Sequence, residues 1–215
     1  ARVSPIPLSR TMQCSCTRPR AAGLARASSN GLVGACCVNG LVGTCCVGVA
    51  FCIATKRLYI HVDIYDALRD RLVQLAKSIK VGDGAEQGTV LGPIQNKRQF
   101  DRVKALIDDA REQGLVLIEG AAVPDNGGFF VPVTLVDNPP ENSRVVQEEA
   151  FGPVLPLLKF SDVDNVIDRA NASEYGLAGA VWSNNVEQAK SIARRWSGYS
   201  ADASSPNIPT TSARP

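Results

Sequence analysis

Regular spacing of apolar and polar positions runs from about residue 52 to residue 195 and is absent on either side. Leu58, Ile60 and Val62 alternate with Tyr59 and His61, a period of two that predicts a strand. Asp63 is placed to cap a helix through about Ile79, with Ile64, Leu68, Leu72, Leu75 and Ile79 as its apolar stripe. Residues 81–83 read as a turn. A second helix is predicted over about 96–113, with Phe100, Val103, Ile107 and Ala110 inward and Gly114 as its stop. Residues 115–119 form a short apolar strand, 120–128 a loop, and 129–136 an extended run containing Pro132. Residues 153–160 predict another strand, edge-like or irregular because Pro156 lies in it. A helix over 162–172, a strand over 177–182 and a helix over 186–195 complete the pattern. Strands alternating with helices of these lengths predict an α/β fold, an open, mostly parallel sheet flanked by helices, with irregular N- and C-terminal tails.

The two ends differ from this middle. Residues 1–30 have no periodicity and read as loop or disorder. Residues 31–48 hold a nine-residue repeat, GLVGACCVN then GLVGTCCVG, too short and too few to build a solenoid. Residues 31–55 carry no ionisable group except thiols and are followed by Lys56 and Arg57, which makes them a candidate membrane span by length. Their glycines, Asn39 and scarcity of Leu, Ile and Phe argue against it, and a cytoplasmic protein is expected. The division is therefore an irregular, acid-free, Cys/Gly/Arg-rich segment over 1–49, one domain over 50–195 and a disordered tail over 196–215.

Charge sharpens that division. Residues 1–50 hold five Arg and no Lys, Asp or Glu, whereas 51–195 carry a net −3 within a chain whose total is +2. So small a total gives no reason to expect a nucleic-acid or membrane partner. The Arg-rich, acid-free start is like an organelle transit peptide, and the opening Ala1 with a lone Met12 suggests a fragment or processed product. All seven cysteines lie at or before Cys52; their odd number does not suit a secreted disulfide framework. There is no C-x-x-C, and His61 is the only histidine, so no zinc site is expected.

Four runs in order carry a resemblance: CIATKRLYIHVDIYD from Cys52, KSIKVGD from Lys77 with LGPI from Leu91, QEEAFGPVLP from Gln147, and NASEYGLAGAVW from Asn171. Over about residues 50–195 their order and spacing resemble the cysteine-bearing part of NAD(P)-dependent aldehyde dehydrogenases. The resemblance implies a small-molecule aldehyde as substrate and NAD or NADP as cofactor. Cys52 matches the nucleophile, whose thiolate must be available at neutral pH. Glu149 matches the residue that hydrogen-bonds the nicotinamide-side ribose, and Phe151 the one that packs near the nicotinamide. Gln99 and Arg102 resemble positions that touch the cofactor from the catalytic domain. His61 is nine residues from Cys52 and on the opposite face of a continuous strand, so it forms no dyad with it. Lys56 and Arg57 read as surface charges flanking the strand.

The chain also departs from that family. Only 51 residues precede Cys52, without a G-x-G-x-x-G turn. No glutamate precedes position 86, so the family's general base is not present in order, and no asparagine stands where the oxyanion partner would. The lead-in to the cysteine is GVAF rather than the polar run the family favours, and after Trp196 the family's homo-oligomerisation strand is not found. Frameshifted or fused ends would give this pattern. The expectation is aldehyde oxidation by ancestry with little activity in this chain alone. The alternatives are a non-catalytic remnant or interaction protein with the same α/β fold, and a membrane-anchored protein with its span at 31–55.

Overall fold

In the computed structural model the described residues are 32–36, 54–173 and 179–195. Cys52, the second copy of the nine-residue repeat and the stretches 1–31 and 196–215 lie outside them.

Among the described residues the strands are β1 (Leu32–Cys36), β2 (Arg57–His61), β3 (Val116–Glu119), β4 (Thr134–Asp137), β5 (Val154–Phe160) and β6 (Gly179–Ser183). They form one sheet in the order β3-β4-β5-β2-β1-β6. The pairs β2–β5 and β4–β5 are parallel, and β3–β4, β1–β2 and β1–β6 are antiparallel. Strands β2, β4, β5 and β6 thus run one way, and β1 and β3 the other. The helices are α1 (Val62–Ser78), α2 (Lys97–Glu112), α3 (Arg144–Gln147), α4 (Val163–Asn171) and α5 (Val186–Arg194).

Each face of the sheet is buried under helices because side chains alternate along the strands. Leu58 and Ile60 of β2 and Leu155 and Leu157 of β5 face Leu72 and Ala76 of α1. Tyr59, Val154, Leu158 and Phe160 face the other way, against Val103, Leu106 and Ile107 of α2, Val145 and Val146 of α3, Val166 and Ile167 of α4 and Ile192 of α5. Caps fix where these helices begin. Asn96 and Asp162 accept hydrogen bonds from the backbone N–H groups of Gln99 and Asn165. Gly114, at φ +70°, ends α2, with Leu115 N–H donating to Ala110 and Gly114 N–H to Arg111.

The structure corrects several expectations. The strand β5 is central, not edge-like, and lies between β4 and β2. Asn138 N–H donates to the Leu157 carbonyl, so the Leu157 edge faces β4 and Pro156 turns its nitrogen toward β2. The β2 ladder begins only at Leu58↔Leu157, so the donor that proline lacks falls ahead of the first pair. Burial of Val154, Leu155, Leu157 and Leu158 at roughly 1.5–3 kcal/mol each outweighs one missing bond. The strand predicted through Val62 stops at His61, whose Nδ1 accepts from Asp63 N–H; His61, not Asp63, is the cap of α1. Val62 opens the helix and is exposed.

A strand also lies within 1–49, which was expected to be irregular. Leu32–Cys36 fills the slot between β2 and β6, and a strand paired on both sides does not suit a helical span over 31–55. No helix among the described residues is long and apolar enough to cross a membrane.

Candidate functional site

Parallel neighbours β2 and β5 begin side by side, so the residues just before each strand meet at one rim of the sheet. Lys56 immediately precedes β2. Residues 148–153 connect α3 to β5 and contain Glu149 and Phe151. The first turns of α2, carrying Gln99, Arg102 and Val103, stand against that connection.

Contacts between backbone and side chains hold the three pieces together. Gly152 is buried on Val103: a Cβ there would lie 2.6 Å from Val103 Cγ2. Glu148 N–H donates to the Arg144 carbonyl at 2.8 Å, which ends α3. The Glu148 carboxylate accepts from Arg144 Nε at 2.6 Å and faces Arg102 Nη2 at 3.9 Å. Arg144 also reaches Asp109 of α2 at 3.4 Å. These pairs are partly solvated, so they orient the segment more than they stabilise the protein. Lys56 Nζ donates to the Ala150 carbonyl at 2.7 Å and lies 4.5 Å from the Phe151 ring centroid.

The residues expected from sequence stand as follows. Glu149 and Phe151 are half-buried, with Glu149 outside the Glu148 ion pairs. Gln99 is half-buried one helical turn before Val103, and its Nε2 is buried with no hydrogen-bond partner among the described residues. Arg102 is exposed and turned toward Glu148. Cys52, four residues before Lys56, lies outside the described residues.

The expectation for Lys56 and Arg57 is corrected. Arg57 is 6 % exposed, the first residue of β2, level with Cys36 of β1. The Lys56 ammonium is engaged by Ala150 and Phe151, 94 and 95 residues further along the chain. Sequence reasoning missed Lys56, Val103 and Gly152 as parts of this site. The only signal for Gly152 was its place between Phe151 and Pro153 in the QEEAFGP run.

Comparison with known proteins bears on this arrangement. The model of the aldehyde dehydrogenase family matches residues 37–204. A probable aldehyde dehydrogenase from Pseudomonas sp is 52% identical over 129 residues, which are 60% of this chain and 26% of that protein. The putative aldehyde dehydrogenase DhaS of Bacillus subtilis (strain 168) is 40% identical over 144 residues, 67% of this chain and 29% of its own length. Among solved structures, betaine aldehyde dehydrogenase from Staphylococcus aureus in complex with NAD+ superposes with a TM-score of 0.67 at 31% identity, covering 72% of this chain and 32% of that one. The aldehyde dehydrogenase of Bacillus cereus gives 0.65 at 34% identity, covering 68% and 30%. The fold just described is the α/β fold of these structures. The chain belongs to the aldehyde dehydrogenase family, and it spans between about a quarter and a third of the length of these relatives.

Proposed function

We propose that this chain supplies the catalytic-domain wall of an NAD(P)-dependent aldehyde dehydrogenase, with Cys52 as nucleophile and Glu149, Phe151 and Gln99 facing the cofactor. The observation that carries the reading is the joining of residues 148–152, the start of α2 and the approach to β2 at one rim.

The groups there fit a nicotinamide riboside. Gln99 Nε2 is a buried donor without a partner among the described residues, suited to a ribose hydroxyl oxygen. The Glu149 carboxylate would accept from ribose hydroxyls, and the half-buried Phe151 ring would offer a flat apolar face. Arg102 at the exposed margin adds positive charge for an anionic ligand, shared with Glu148. The bound nicotinamide supplies a hydride acceptor. The Cys52 thiolate adds to the aldehyde carbon and forms a C–S bond, giving a thiohemiacetal. Loss of hydride from that carbon leaves a thioester, which water cleaves to the carboxylic acid and free thiol. The same reading places the protein in the cytoplasm.

This chain alone is expected to turn over little aldehyde. A positioned base and an oxyanion donor each contribute about a hundredfold or more, and no glutamate precedes Glu86. Treating the native protein with limiting iodoacetamide and mapping the adducts tests the nucleophile. Cys52 should be modified first among the seven cysteines, and preferential labelling of any other sulfur would remove it from the role.

A further inference from the structure

Lys56 is the feature that neither the sequence expectation nor the proposed chemistry absorbs. Its Nζ makes two contacts with one short segment. It donates a 2.7 Å charge-assisted hydrogen bond to the Ala150 carbonyl and sits 4.5 Å from the centre of the Phe151 ring. The Ala150 carbonyl belongs to the peptide plane that leads into Phe151. Holding that oxygen sets the direction in which Phe151 leaves the main chain and, with Ala150 itself packed in the core on the other side, limits where the neighbouring Glu149 can turn.

The Ala150 side chain is buried in the core, and among the described residues the segment is otherwise restrained at its two ends. Glu148 is fixed by Arg144, and Gly152 by its packing on Val103. Between them Glu149 has no share in the ion pairs. We propose that Lys56 is a positioning residue that clamps residues 149–151, so that Glu149 and Phe151 are held ready for the cofactor before it arrives. The pre-ordering of the segment stands on the contacts alone. Its use in cofactor binding rests on the proposed function.

Hydrogen exchange followed by mass spectrometry on the full chain tests the clamp. Lys56→Met keeps most of the aliphatic stem and removes the charge and the donor. It should speed exchange in peptides covering 148–154 by about tenfold and leave those of α1 and β4 unchanged. Lys56→Arg should restore slow exchange, because a guanidinium can both donate to the carbonyl and stack on the ring. Lys56→Gln, a neutral donor, should fall between. Unchanged exchange at 148–154 in Lys56→Met overturns the proposal. So does acceleration throughout the protein, which marks general destabilisation. If Lys56→Met does not fold, Lys56→Gln against Lys56→Arg decides on the same peptides.

Saturation-transfer NMR with NAD+ as the probe separates the two levels. Transfer to the nicotinamide protons in the native chain, reduced in Lys56→Met and recovered in Lys56→Arg, supports both. No transfer in the native chain counts against the cofactor reading while the exchange data still judge the clamp.

Discussion

Replacing Gly152 by alanine is the sharpest test of how the site is built. The added Cβ would lie 2.6 and 2.8 Å from the two γ-methyls of Val103 and 3.2 Å from its Cβ. Carbon atoms rest at about 3.5–4.0 Å, so roughly 1 Å of space must open. Val103 cannot yield it by turning: it is fully buried, and a β-branched side chain in a helix keeps essentially one rotamer. Either α2 or residues 148–152 must shift, at a cost of about 1–3 kcal/mol. Val103→Ala removes both γ-methyls, a loss of about 1.6 kcal/mol of burial before any cavity term. In the double variant the new methyl occupies part of the vacated space. The two losses should then fall short of their sum by about 1 kcal/mol or more. Urea titration followed by circular dichroism measures this as midpoints at constant slope. Strict additivity, or a Gly152→Ala cost below about 0.5 kcal/mol, would falsify the packing of this segment against α2.

Tyr65 donates to Asp137 Oδ1 at 2.5 Å and to the Leu157 carbonyl at 3.2 Å, so Tyr65→Phe should cost about 1–2 kcal/mol in the same titration. Burial, reinforced by Asp137, raises the Tyr65 phenol above its ordinary value of 10.0. The unfolded chain then loses this proton first, so the contribution is intact below pH 10 and declines as pH rises beyond it. Native protein should lose stability above pH 10 more steeply than Tyr65→Phe, and parallel curves would refute this. Glu141 accepts from Tyr59 at 2.6 Å and from Arg169 Nη2 at 2.7 Å. Glu141→Gln weakens both bonds and should cost about 1–3 kcal/mol. The Tyr59 share of that cost should disappear in a Tyr59→Phe background, and an unreduced cost there would show that the Tyr59 bond carries none of it.

Elements with their own periodicity were legible in the sequence, and contacts between distant residues were not. The helical spacing of Phe100, Val103, Ile107 and Ala110 with the stop at Gly114, and the pattern over 162–172, located α2 and α4 to within a residue or two because such signals are local. The four-residue α3 is too short to show a period. Pro156 misled because the sequence cannot tell on which side of β5 its missing donor falls. Tyr65 lies off the expected stripe of α1, and its partner Asp137 is 72 residues away. The family runs marked Glu149 and Phe151, and the helix pattern placed Gln99 and Arg102 on α2. Lys56 belongs to the site only through Ala150, 94 residues on, so its local sequence resembles an ordinary strand flank.

The place of the rim bears on what this chain can recognise. Ligands of open α/β sheets gather beyond the carboxyl ends of the strands, where a glycine-rich turn and a helix start receive phosphate. Here Lys56 and residues 148–152 stand at the amino-terminal ends of β2 and β5, and the sequence contains no G-x-G-x-x-G. The rim offers a donor, a carboxylate and a ring, which suit a riboside and its base better than a diphosphate. On the proposed reading, this rim would face the nicotinamide half of the cofactor rather than the adenosine half. Nicotinamide mononucleotide should show saturation transfer comparable to that of NAD+, and adenosine monophosphate should neither show transfer nor displace either one. Competition by adenosine monophosphate at equal concentration would mean that the rim reads the other half, and the roles given to Glu149 and Phe151 would have to be abandoned.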